Sequence, residues 1–343
     1  MKNIRIASAR KNAAKLIAVT GLAALSLATV SACGSTETTN SGTNGSAESS
    51  PAEQAQWPRS VKVGKHEVKV SAEPQRVVAL STETADLALQ LVGPERVVAV
   101  PKTALDDKAG NQVELAKKVE NSIANATKPE PEQILSFNPD LVLITGRHDK
   151  EQSAAKLMEG TGVPTAQFAS ADFASPKAVA ESITTLGALL GAEDKAAELV
   201  EKLNADTEQA LAAAKDAKDK PRTLTLFARG GKKMIMGVNS ATTNLVELAG
   251  GEALSPKGGR PGAVPADPET IVKLNPDVIL IQGFHGAGKE QFADLLSNPA
   301  LADVPAIKDD RVSVVNAKTT SGTSGTKIGE GLQEVAEALH QKK

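Results

Sequence analysis

Two hydrophobic rhythms alternate along residues 66–340. Short apolar runs at 66–70, 75–80, 96–100, 140–145 and 165–168 read as strands, the first of them an edge strand. Between them, residues 85–92, 131–137 and 151–159 carry apolar positions at helical spacing. Ser81-Thr82-Glu83 supplies helix-start chemistry for the first of these helices, and Gly93-Pro94 stops it. Strands alternating with helices predict parallel βαβ units. The pattern then becomes almost wholly helical over 175–190 and 193–218, with no Pro between 177 and 220 and Gly only at 187 and 191. After Pro221 the alternation resumes, with strands at 223–227, 233–237, 277–282 and 311–316. Helices are expected at 242–249, 268–274, 290–296 and 327–340.

The two alternating regions share a phrase. Residues 131–148 and 268–285 are identical at ten of eighteen positions, at a constant offset of 137. Each copy opens on Pro-Glu (Pro131-Glu132, Pro268-Glu269), passes through Asn-Pro-Asp (138–140, 275–277) and an apolar strand, and ends on Gly and a loop with His148 or His285. Solenoid repeats have periods of roughly 20–50 residues, so this offset fits two similar lobes instead. A weaker echo links 84–93 with 243–250, so the duplication involves whole lobes. The expected fold is α/β: two lobes facing across a ligand cleft, with the long helix as a strut between them.

The ends add a location. Lys2, Arg5, Arg10, Lys11 and Lys15 precede an apolar core from Leu16 to about Val30, too short for a comfortable membrane span. Val30-Ser31-Ala32-Cys33 then matches a bacterial lipobox, which makes Cys33, the single cysteine of the 343 residues, the lipidation site. Residues 34–56 hold no large apolar side chain and read as a disordered tether, spanning roughly 25–30 Å. The expected organisation is a leader at 1–32, a lipidated tether at 33–58, an N-terminal lobe at 59–190, a connecting helix at 191–220 and a C-terminal lobe at 221–343. Five of the 39 Lys+Arg lie in the leader, which contains no acid; this leaves 34 against 41 Asp+Glu, a formal −7. A mildly acidic chain without a basic run is not a nucleic-acid binder.

Ligands of open parallel sheets bind beyond the carboxyl ends of the strands. His148 and His285 fall there and could ligate a metal or contact a metal chelate. Arg147, Arg229 and Arg260 fall in loops that could open on the same cleft and hold an anionic ligand by charge-assisted hydrogen bonds. His66 and His340 read as surface residues. Glu132 and Glu269 occupy matched first turns, where an acid either complements the helix dipole or forms a two-point docking surface. Residues 283–289 nearly spell a phosphate loop, but Glu290 stands where Ser or Thr would hold Mg²⁺. The glycine-rich run 322–331 lacks dinucleotide spacing and reads as a mobile loop at the cleft rim. No nucleophile elbow or HExxH is present, so an enzyme is not expected, an α/β cleft enzyme being only a remote alternative.

The lipobox, the two lobes, the helical connector and the paired Pro-Glu…Asn-Pro-Asp phrases resemble the iron-complex and cobalamin substrate-binding proteins of ABC importers. The similarity extends over about residues 75–341, with further matching phrases at 75–80, 186–191, 298–301 and 310–312. It implies Rossmann-like lobes joined by one rigid helix with little closure. It also implies an extracytoplasmic receptor, a monomer, held on the outer face of the cytoplasmic membrane by its lipid alone. Such a receptor delivers an iron chelate to a permease and its ATPase, with Glu132 and Glu269 pairing with permease arginines. No cofactor is implied. A ferric siderophore is the leading ligand, with haem and cobalamin as alternatives. Haem-binding members often use Tyr as an iron ligand; this chain has none, and Phe227 stands where one would be attractive.

Overall fold

Strand residues that alternate face by face build two sheets, each with an inner and an outer core. The computed structural model describes residues 56–340 apart from 125, 127, 148, 216–218, 257–261 and 285–287. An antiparallel hairpin, β1 (Arg59–Val63) and β2 (His66–Val70), precedes the first lobe. Then follow β3 (Val77–Ala79), α1 (Thr82–Val92), β4 (Val97–Pro101), α2 (Val113–Ala116), β5 (Asn121–Ile123), α3 (Pro131–Ser136), β6 (Leu141–Thr145), α4 (Asp149–Glu159) and β7 (Thr165–Phe168). These five strands pair in parallel in the order β5-β4-β3-β6-β7. The chain therefore winds outward from β3 and then returns to its other side, which makes a topological switch point between β3 and β6.

Helices α5 (Pro176–Leu190) and α6 (Glu193–Ala214) follow. The second lobe comprises β8 (Arg222–Arg229), β9 (Lys232–Ile235), α7 (Ala241–Leu248), β10 (Glu252–Leu254), β11 (Val264–Pro265), α8 (Pro268–Leu274), β12 (Val278–Gly283), α9 (Ala293–Leu296), α10 (Pro305–Lys308), β13 (Val312–Asn316), α11 (Ala317–Thr320) and α12 (Ile328–His340). Its sheet runs β11-β9-β8-β12-β13, with β10 also on β8. The alternation predicts parallel strands, but β9 pairs antiparallel with both β8 and β11. β8 and β9 form an antiparallel hairpin through Gly230 and Gly231, both at positive φ (57° and 75°). A Gly-Gly pair between two strands favours this turn because only glycine takes left-handed φ at both central positions without strain.

Residues one apart on each strand go to different cores. Val77, Ala79, Leu141 and Leu143 face one cluster, while Val78, Leu80, Val142 and Ile144 face another. In the second sheet, Val278 and Leu280 join the first of these clusters, and Ile279, Ile281, Leu224 and Leu226 form a third. The shared inner cluster passes through α1, α5, α6, α7 and α12. A single apolar core thus runs from one sheet to the other, so parting the lobes would expose it to water.

α6 is the spine of that shared core. Its 22 residues extend about 33 Å, ending at Ala214 rather than at 218 as the helical composition predicts. Ala196, Leu203 and Ala210, one heptad apart, are buried on one stripe. A Cβ on Gly187 of α5 would come within 2.5 Å of the Ala196 Cβ, and one on Gly329 of α12 within 2.9 Å of the Asp206 Cβ. These two glycines set how closely the flanking helices approach the spine.

The repeated phrase has a structural use. Asn138 and Asn275 both adopt positive φ (47° and 45°) just beyond α3 and α8. The aspartate two positions on then anchors the adjacent strand. Asp140 accepts from the Gln75 and Arg76 backbone N–H at 2.7 and 2.9 Å, and Asp277 from that of Arg222 at 2.8 Å. Arg76 and Arg222 in turn donate to the Asn138 and Asn275 carbonyls at 2.9 and 2.8 Å.

Candidate functional site

The carboxyl ends of the parallel strands in both lobes converge on one cleft of about 530 Å³. From the first lobe, β3 brings Leu80, Ser81 and Thr82, β4 brings Pro101, Lys102 and Thr103, β5 brings Ile123, and the end of β6 brings Arg147 with Glu151. From the second, β8 contributes Phe227 to Gly230, β12 leads into Phe284, and β13 leads into Ala317 and Lys318. Hydroxyl contacts tie the first-lobe ends together: Ser81 Oγ lies 2.9 Å from Thr145 Oγ1, and Thr82 Oγ1 lies 2.7 Å from Thr103 Oγ1.

Most charged groups lining the cleft are cations. Among the described residues, Lys102, Lys108, Arg147, Arg229 and Lys318 face it, against the single carboxylate of Glu151. Lys102, Lys108 and Arg229 are exposed and, among the described residues, have no ion-pair partner. Lys318 donates to the Asp107 carbonyl at 2.8 Å. Such a surface attracts anions, and a partly enclosed wall strengthens the field. On the second-lobe side, Phe227 and Phe284 meet edge to face, with ring centroids 6.3 Å apart. This apolar pair offers a hydrophobic wall for a flat ligand.

Arg147 differs from the other cations. Its Nη2 donates to Oε1 of Glu83, which lies in the first turn of α1 with a fully buried side chain, and its backbone N–H donates to Glu151 Oε2 at 2.8 Å. Burial alone would lower the guanidinium pKa, but the charges of Glu83 and Glu151 outweigh it and push the value up. Asp86, one turn along α1, is buried as well and accepts from the Asn111 and Gln112 backbone N–H at 2.8 and 3.1 Å. Burial pushes its carboxyl up to about 7, helped by the nearby Glu83 charge.

Of the residues singled out by sequence, Arg147 and Arg229 line the cleft together. Cys33, His148, Arg260 and His285 lie outside the described residues. Among the described residues, no group of three or more His, Cys, Asp or Glu could hold a metal ion. Glu132 and Glu269 sit exposed in the first turns of α3 and α8 and do not line the cleft. His66 is exposed on β2, as expected, whereas His340 is partly buried with Nε2 2.7 Å from the Ala249 carbonyl. The glycine-rich run is a packed segment and not a loose rim: Ser324 and Gly325 are buried, and the Thr323 and Ser324 carbonyls accept from Asn111. Sequence reasoning missed Lys102, Lys318, Phe284 and Glu83. Lys102 and Phe284 directly follow β4 and β12, and Lys318 stands two residues beyond β13, so the carboxyl-end rule applied to every strand would have found them.

Residues 77–319 match the family described as "Periplasmic binding protein". The chain belongs to this family. Among periplasmic binding proteins and their relatives, it is 25% identical over 280 residues to the uncharacterised ABC transporter substrate-binding lipoprotein YvrC of Bacillus subtilis strain 168, covering 80% of this chain and 82% of that one. The structure of the periplasmic haem-binding protein RhuT from Roseiflexus sp. RS-1 superposes with a TM-score of 0.62 at 25% identity, covering 78% of this chain and 98% of that one. The siderophore-binding protein BauB, bound to two acinetobactin molecules and ferric iron, superposes at 0.65 with 24% identity, covering 83% and 100%. The last likeness concerns the fold: two α/β lobes with a cleft at their strand ends.

Proposed function

We propose that this chain is the lipid-anchored substrate-binding protein of an ABC importer, and that it captures an anionic iron chelate, with a ferric siderophore as the first choice. The observation that carries this reading is the cleft itself: cations from both lobes surround a space bounded on one side by Phe227 and Phe284. Charge-assisted hydrogen bonds to catecholate, carboxylate or hydroxamate oxygens suit those cations, and aromatic edges suit the ligand's apolar parts. Lobes that share one core favour a preformed cleft over one that closes around its ligand. The lipobox at Cys33 and the name of the B. subtilis relative support anchoring at the outer face of the cytoplasmic membrane. Delivery to a permease and its ATPase follows from that role.

Haem is the second reading, favoured by the Phe227–Phe284 pair, against which a porphyrin could lie. A tyrosinate iron ligand is excluded because the chain has no Tyr. Protein purified from its own host, without added ligand, separates the readings by visible spectrum. A broad charge-transfer band means a ferric siderophore, a Soret band means haem, and a corrin spectrum means cobalamin. Titration of the unloaded protein with a ferric tris-catecholate, haemin and cyanocobalamin then ranks the affinities. Failure to bind any of the three would refute the metal-chelate reading.

A further inference from the structure

Glu83 is an acid placed where a receptor for anions should have none. It lies directly beneath the cleft wall, its side chain is fully buried, and its Oε1 is taken by Arg147. Its other oxygen, Oε2, has no hydrogen-bond partner among the described residues. Held by the first turn of α1, the carboxylate cannot reach water, and the guanidinium of Arg147 is its partner. Arg147 keeps about a third of its side-chain surface, 30%, exposed towards the cleft. A ligand arriving there meets a cation already matched from behind. Lys102, Lys108, Arg229 and Lys318 have no ion-pair partner among the described residues.

We propose that Glu83 is a specificity-determining residue: it cancels the charge of Arg147 from beneath the cleft surface and leaves Lys102, Lys108, Arg229 and Lys318, set against Glu151, to fix the charge of the chelate that is accepted. The proposal rests on the reading of this cleft as the chelate site. Arg147 on this view is part of the wall and not a ligand anchor, and Glu83 acts through it as a positioning residue. Removing the acid alone would add one positive charge to the site. Removing the guanidinium alone would leave a buried negative charge under the ligand. Removing both would return the site to its original charge.

The test uses the leaderless protein and two probes, an anionic ferric tris-catecholate and an uncharged ferric tris-hydroxamate, titrated by calorimetry. Glu83→Gln should tighten the tris-catecholate about tenfold, equivalent to about 1.4 kcal/mol, with little change for the tris-hydroxamate. Arg147→Met should weaken the tris-catecholate, and the Glu83→Gln/Arg147→Met double variant should restore it to the wild-type value. A double variant as weak as Arg147→Met would make Arg147 a direct ligand anchor and overturn the proposal. So would a Glu83→Gln effect equal for both probes. The double variant removes both charges together and leaves no buried unpaired ion, so it remains informative should either single variant fail to fold. A probe-free measurement separates this idea from the function it rests on. Arg147→Met should lower the urea midpoint, because the buried Glu83 carboxylate then loses its guanidinium partner, and the double variant should recover it. A double variant no more stable than Arg147→Met would sink the Glu83 assignment, whereas wild-type protein that binds neither probe would sink only the chelate reading.

Discussion

Asn111 of the first lobe donates from Nδ2 to the Lys318 carbonyl of the second at 3.0 Å, and the same amide reaches the Thr323 and Ser324 carbonyls at 3.3 and 3.1 Å. Its backbone N–H is held by Asp86, and Lys318 returns a bond to the Asp107 carbonyl. A strap of hydrogen bonds therefore crosses between the lobes beside the cleft. Asn111→Asp keeps the shape but sets a carboxylate against three carbonyls. The expected cost is about 1–3 kcal/mol of stability, read as a lower urea midpoint. Spin labels placed one on each lobe should also report a broader distance distribution. Wild-type values for both would mean that the shared core alone fixes the lobes.

The anchoring aspartates allow a graded comparison. Asp140 satisfies two backbone N–H groups of the neighbouring strand and Asp277 satisfies one. Leaving such donors unpaired costs roughly 1–3 kcal/mol each when they are buried and less where water reaches them. The Asp277 bond is part-buried and the two Asp140 bonds are exposed, so Asp277→Ala should cost at least as much as Asp140→Ala in urea unfolding despite breaking fewer bonds, and neither should alter ligand specificity, since neither lines the cleft. A clearly larger loss for Asp140→Ala would show that the number of bonds, and not their burial, sets the cost.

Asp86 makes stability depend on pH. Its carboxyl stands at about 7 in the folded protein against an ordinary 3.8, raised chiefly by burial. Between those values the folded chain keeps a proton that the unfolded chain has released. Its contribution is thus fully present below about pH 4 and lost as pH rises through 7. The size is at most about 4 kcal/mol. Asp86→Asn should flatten the loss of urea stability between pH 5 and pH 8. A slope unchanged in this variant would assign it to another group.

The duplicated phrase disclosed the two lobes, and the helical composition of 175–218 disclosed the connector, because both patterns are local. The strand order and the shared core were not legible, since they depend on which faces of distant elements meet. The Gly230-Gly231 hairpin was legible in principle: two glycines between strands specify a tight antiparallel turn, but the preceding βαβ rhythm argued for parallel pairing. Arg147 and Arg229 could be placed at the cleft from their strand-end positions. That Arg147 is matched by Glu83 could not, because 64 residues separate them and nothing local marks the pair.

Glu132 and Glu269 remain as the docking candidates. Both are exposed, both open a short helix that follows Pro at its first position, and both stand away from the cleft lining. Among the described residues neither has an ion-pair partner, so each carboxylate is available to a cation on another molecule. Exposed charges at a contact act mainly on encounter rate and salt dependence. Glu132→Ala and Glu269→Ala should leave chelate affinity unchanged while slowing import in cells, most severely together, and the defect should deepen as ionic strength falls. Charge reversal to Lys at both positions should reduce import further, because a basic docking surface would then meet like charges. The two measurements are calorimetric affinity of the purified protein and uptake of radiolabelled iron chelate by cells carrying each variant. A tenfold loss of affinity, about 1.4 kcal/mol, with uptake reduced only in proportion would return both acids to the role of helix-dipole partners.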